Sequence, residues 1–162
     1  VNDPSFVQRR AFVAESNRIE NIHRGPTVDE IDAHEALWAL DELSVDAVSE
    51  FVDEIAGAPL REKVGMNVRV GSHLPLAGGP AIYRSLAGIL DAINGVDASP
   101  YAAHVAYETL HPYMDGNGRS GRAIWAWQML RDGRDPFGLG FLHTFYYQAL
   151  QEGRPASTQE ER

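Results

Sequence analysis

Apolar residues recur along this chain at helical spacing, and the breaks between periodic stretches fall at glycine and proline. Over residues 6–24, Phe12, Ile19 and Ile22 make a sparse stripe, which predicts a first helix stopped by Gly25-Pro26. Thr27 followed by Glu30 spells a capping box, so a second helix is expected over TVDEIDAHEALWALDEL. Ser44 reads as the N-cap of a third, with Val45, Val48, Val52 and Ile55 on one face until Gly57 and Pro59 end it. Pro80 suits the first turn of a fourth helix, whose Ile82, Leu86, Ile89, Leu90 and Ile93 are helix-spaced up to Gly95. Ser99-Pro100 opens a fifth. A core helix is expected over 123–131 with Gly133 as its C-terminal cap, and a last one over 137–151, carrying Leu142, Phe145, Tyr146 and Leu150. From Glu152 the periodicity ends, which predicts a disordered tail over 152–162. One stretch departs from the pattern. In VGMNVRVGSHLPLAGGP (64–80), Val68 and Val70 alternate with polar neighbours between Gly71, Pro75, Gly78 and Gly79, which predicts a short strand or hairpin. The expected fold is therefore a single all-α domain with one β excursion.

Composition narrows the function. A chain of 162 residues with 44% apolar content can fill one core. A formal net charge of −9 argues against non-specific binding to nucleic acid or to an anionic membrane. The absence of cysteine removes disulfides, thiol nucleophiles and cysteine-ligated zinc. No apolar run approaches the ~18 residues of a membrane span, and the start has no basic-then-apolar leader, so a cytoplasmic location is expected. The histidines outside the motif described next (His23, His34, His73, His104 and His143) show no zinc-ligand spacing.

Against this acidic background one stretch concentrates chemistry: HPYMDGNGRSGR, residues 111–122, set between two helix-forming segments. Gly116, Asn117 and Gly118 fall where the second of those helices begins, and first-turn N–H groups there lack intrahelical partners and attract phosphate. His111 suits either a helix C-cap, where the dipole favours His⁺, or a general base whose pKa is lowered by nearby positive charge. Asp115 suits either an Asx-type turn or a Mg²⁺ ion held between its carboxylate and phosphate oxygens. Arg119 and Arg122 share a helix face, as solvated charge or as two guanidinium forks for the distal phosphates. Asn117 is a turn residue or an amide donor to an α-phosphate. Tyr113 reads as an aromatic plug whose hydroxyl needs a partner, and Trp125 and Trp127 as packing residues.

This stretch resembles the Fic motif, HPFx[D/E]GNGRxxR, of proteins that transfer AMP from ATP to protein hydroxyls, with Tyr113 in place of the commoner Phe. With the order of helices and the glycine-rich excursion, the resemblance spans residues 6–150 and implies a Fic-like helical domain. It implies ATP as substrate with Mg²⁺, His111 as base, Asp115 as metal ligand, 116–118 as anion hole, and Arg119 and Arg122 as holders of the distal phosphates. The core would cover 26–151 and the flap 67–79, where Val68, Arg69 and Val70 would take a target segment by strand addition. The partner would be a protein offering a Tyr, Thr or Ser hydroxyl, with self-modification open by the same route. Gly118, where the kinase-like Doc branch has lysine, implies the AMP-transferring orientation. SNRIEN, residues 16–21, resembles the family's inhibitory motif [S/T]xxxE[G/N], so residues 1–25 would be an inhibitory helix with Ser16 and Glu20 on one face. Glu20 would pair with Arg122; such a charge-assisted pair is worth about 1.5–3 kcal/mol, enough to cut productive ATP binding roughly ten- to a hundredfold. Three other readings stay open: removal of AMP by a water that Glu20 aligns, a silent nucleotide-binding module, and transfer of another nucleotide or phosphocholine.

Overall fold

The computed structural model describes residues 4–138. Over these residues the chain is helical, with no sheet: α1 (Pro4–Ile19), α2 (Val28–Trp38), α3 (Val45–Ala56), α4 (Pro80–Asn94), α5 (Pro100–Leu110) and α6 (Asn117–Arg131). The expected last helix over 137–151 and the tail over 152–162 lie outside the described residues, apart from Phe137 and Gly138. No helix among the described residues is long and apolar enough to cross a membrane.

α6 is the centre of the molecule. Its residues from Arg119 to Met129 are buried whatever face they lie on, as expected of a helix enclosed by others, and α1, α2, α3 and α5 all pack on it. The main core joins Val48, Val52 and Ile55 of α3, Ile82, Leu86, Leu90 and Ile93 of α4, and Tyr107 and Leu110 of α5 to Ala123, Ile124 and Trp127. A second cluster of Phe12, Trp125, Ala126, Met129 and Phe137 fastens α1 to the far side of α6, with Trp38 edge-on to Phe12 at 5.5 Å.

Local chemistry sets the boundaries. The capping box closes in both directions: Glu30 N–H donates to Thr27 Oγ1 at 3.1 Å, and Thr27 N–H to Glu30 Oε2 at 2.9 Å. Ser44 and Ser99 each accept from the backbone three residues on, at Ala47 and Ala102. α2 stops at Trp38, short of the stretch expected to reach Leu43, because Asn94 takes both backbone groups of Leu43 at 2.8 and 2.9 Å and seats its side chain in the core. α1 likewise ends at Ile19, not at Arg24. The 64–80 excursion is not a two-stranded hairpin. It is an irregular loop with one tight turn, in which Val70 and His73 exchange backbone bonds of 3.0 and 2.9 Å. Gly71 in the turn and the backbone-to-side-chain bond from Gly78 to Asn67 shape the loop, leaving Val68 and Val70 no partner strand among the described residues.

Candidate active site

The turn between α5 and α6 is built by its own side chains. α5 ends with His111 in the left-handed region (φ 51°), which aims the chain back across the helix end. Tyr113 is fully buried, its hydroxyl 2.8 Å from Ser49 Oγ. Asn117 accepts from Tyr113 N–H at 2.9 Å and donates to Tyr113 O at 2.8 Å, closing the loop on itself. Oδ1 and one N–H of the amide are thereby engaged within the turn, the structural role its position in the motif allows. Gly116, the N-cap of α6, sits at φ 79°, and a Cβ there would press on Ala56. No side chain caps α6, so the first-turn N–H groups of Asn117, Gly118 and Arg119 point out of the helix end.

They open into a cleft of about 730 Å³. Glu108, His111, Asp115 and residues 116–119 form one wall, Val68, Arg69 and Val70 of the 64–80 loop another, and Glu20 and Ile22 a third. His111 Nδ1 lies 3.3 Å from Glu108 O; a carbonyl only accepts, so the proton is on Nδ1 and the lone pair on Nε2. Burial, and behind it Arg61 and His73, hold this imidazole below its ordinary pKa, against the opposing pull of the Glu108 carbonyl. Asp115 is exposed and takes the N–H of the next residue, Gly116, at 2.7 Å with one oxygen; this is one residue short of the Asx turn expected. Among the described residues no three acidic or histidine side chains converge to hold a metal ion. Mg²⁺ would thus have one carboxylate here and draw its other ligands from phosphate and water, which its chemistry allows.

The two arginines diverge. Arg119 lines the cleft, yet its guanidinium donates to Ile55 O at 2.8 Å, at the end of α3. Arg122 is buried (side chain 1% exposed) and turns to the end of α1: Nε to Ser16 Oγ at 2.8 Å, one terminal nitrogen to Ser16 O at 2.9 Å and to Glu20 Oε1 at 2.7 Å. Glu20 lies one residue past α1, where Asn21 takes φ 61° and the amides of Glu20, Asn21 and Ile22 return to the carbonyls of Asn17 and Arg18. Asparagine tolerates that conformation through its short polar side chain. The turn, rather than a shared helix face, carries the carboxylate over the head of α6. A Cβ on Gly118 would run into the Glu20 carboxylate.

Three groups escaped the sequence reading. Glu108 lies on α5 one turn before His111, its Oε1 sealed from solvent without a hydrogen-bond partner and set against Gly121. The signal existed: a lone carboxylate among small and apolar residues, three before a candidate base. Arg61 is fully buried beneath the 64–80 loop with nothing in its surroundings in the sequence to mark it. Glu30 does more than cap α2, since its carboxylate also receives Asn17 Nδ2 and the Arg24 guanidinium. Of the remaining histidines, His34 and His104 are buried core residues, while His73 is exposed and donates to Thr109 O at 3.0 Å. His143 lies outside the described residues. Compared with known protein families and curated protein sequences, the chain matches no family model and no curated sequence.

Proposed function

We propose that this protein is an adenylyltransferase that moves AMP from ATP to a hydroxyl side chain of a target protein and that restrains itself through Glu20. The single observation that carries this reading is the cleft itself. An imidazole with a free Nε2 lone pair, an uncapped helix N-terminus behind a glycine turn and an exposed carboxylate share one cavity, and Glu20 lies across it. A helix head of this kind attracts phosphate, and a carboxylate already over it, paired to a buried arginine, competes as an anion of the same sign.

In the proposed reaction the triphosphate lies against the N–H groups of α6. His111 Nε2 takes the proton of the target hydroxyl, its oxygen bonds to the α-phosphorus, and the bond from that phosphorus to the pyrophosphate oxygen breaks. His111 suits this because its lowered pKa keeps the base form at neutral pH. Asp115 would hold Mg²⁺, which neutralises phosphate charge when bound. Arg122 grips the distal phosphates only after Glu20 leaves.

The Glu20 side chain is 40% exposed, so solvent weakens its pair with Arg122 to about 1–2 kcal/mol, or roughly a five- to thirtyfold restraint. Glu20→Gly should raise self-modification by that factor, read by mass spectrometry as an adduct of AMP less water after incubation with ATP and Mg²⁺. The same variant carrying His111→Ala should form none. A Glu20→Gly protein that labels neither itself nor added proteins overturns the proposal. One observation favours the reverse chemistry as a second reading: Glu20 lines the same cleft as His111 and commits only one oxygen to Arg122. Glu20→Gly would then lose AMP-removing activity instead of gaining transfer.

A further inference from the structure

We propose that Arg61 is a positioning residue that ties His111 and the flap into one unit. Its side chain is fully buried, and its guanidinium donates to four backbone carbonyls and, among the described residues, to no carboxylate. Nε reaches His111 O at 2.7 Å and one terminal nitrogen reaches Leu110 O at 2.9 Å, so two bonds hold the end of α5. The other terminal nitrogen spans the flap's two roots, Met66 O at 3.1 Å and Leu76 O at 2.8 Å. A single rigid fork thereby fixes the left-handed residue that carries the imidazole and both ends of the loop facing it across the cleft.

A buried cation without a counter-ion is costly, and this one is tolerated because four carbonyl dipoles converge on it, two at the negative end of α5. The backbone around Arg61 already joins the motif loop: Arg61 N–H donates to Pro112 O at 2.9 Å, and Met114 N–H to Pro59 O at 3.1 Å. The backbone also takes one end of the 64–80 loop, Arg61 O accepting from Gly79 N–H at 3.0 Å, and the side chain adds the hold on Met66, Leu76 and the His111 carbonyl. Its charge also lies close enough to His111 to help keep the imidazole neutral. Lysine at this position would retain the charge, but a point-like ammonium cannot bridge both segments as the planar fork does.

The kinetic consequence rests on His111 acting as the base proposed above; the pinning of His111 and the flap does not. Arg61→Met and Arg61→Lys separate charge from fork. In the Met variant the His111 imidazole, followed by NMR, should titrate closer to the ordinary 6.5. The Val70 and His73 amides should exchange about tenfold faster, with the core amides of Val52 and Leu86 unchanged. In the Lys variant the titration should stay near that of the parent while the flap amides still accelerate. In a Glu20→Gly background both should lower kcat about tenfold with little change in KM for ATP, and only the Met variant should move the acid limb of the pH profile upward. An unchanged titration and flap exchange in Arg61→Met, or equal acceleration at Val52 and Leu86, overturns the proposal. Should Arg61→Met not fold, Arg61→Lys decides it: flap amides exchanging at the parent rate overturn the proposal, and selectively faster ones support it. NMR changes as expected in proteins that transfer no AMP would leave Arg61 as the tie and remove the transfer reading.

Discussion

Arg122 lies between two carboxyl groups in unlike states. Glu20, part-exposed, pairs with it directly, whereas Glu108, half-buried at the cleft with one oxygen cut off from solvent, is pushed up to about 8, by burial first, with Arg122 opposing and Glu20 reinforcing. An unfolded glutamate ionises near 4.5, so between there and about 8 the native state keeps a proton that the unfolded chain has lost. Glu108 therefore contributes stability that is present below 4.5 and lost as pH rises through 8. Glu108→Gln should unfold at nearly the parent temperature at pH 5 and at a higher one at pH 8; parallel curves from calorimetry would contradict this. Removing Glu20 deletes one cause of the raised value, so Glu108 should titrate lower in Glu20→Gly. At this scale the sequence was readable where a residue sits inside a dense motif. His111, Asp115, 116–118 and Arg119 all line the cleft. That Asn117 closes the loop on Tyr113 was not legible, because which partners a side-chain amide finds depends on a loop closure that spacing does not reveal.

At the scale of elements, the end of α1 and the start of α2 form one joint. The Glu30 carboxylate gathers the Arg24 guanidinium, Thr27 N–H and Asn17 Nδ2, and it lies well down at about 2, with Arg24 the first cause and the Thr27 and Asn17 bonds behind it. It stays ionised across any ordinary pH, so the joint that presents Ser16 and Glu20 to Arg122 does not loosen on mild acidification. Glu30→Ala removes half the capping box and the tie to Asn17, at a cost of at least about 1 kcal/mol. It should raise self-modification partway toward that of Glu20→Gly, measured by the same adduct alongside urea unfolding. Stability lost with no gain in modification would show that the joint does not position Glu20. The element starts were legible because Ser, Thr and Pro caps act through neighbours in sequence. The ends of α1 and α2 were not, since the Glu20–Asn21 turn and the Asn94 grip on Leu43 involve backbone strain and a partner far along the chain.

For the whole molecule, burial of two histidines sets the response to acid. His34 and His104 are each lowered to about 4, by burial first, and are neutral in the native core. Unfolded histidine titrates near 6.5, so below that value the unfolded chain binds protons that the native state refuses. Their stability is present above 6.5 and lost as pH falls through 4, while Glu108 works the other way between 4.5 and 8. Two groups against one place the stability maximum near pH 6.5, and the unfolding midpoint should fall on both sides of it; a midpoint that rises steadily from pH 6.5 to 4.5 would show that these histidines are not the neutral core groups described. The sequence by itself determined the helical class, the caps and the glycine-framed motif, because periodicity, capping and turn geometry are interactions among residues a few positions apart. Only the tertiary structure decided that a turn past α1, and not a shared helix face, brings Glu20 to Arg122, that Arg61 ties the 64–80 loop to the end of α5, that α1, α2, α3 and α5 enclose α6, and that the excursion is a turn with no partner strand among the described residues. Those outcomes depend on which surfaces meet across tens of residues, and buried charge finds its partners only when the helices are packed.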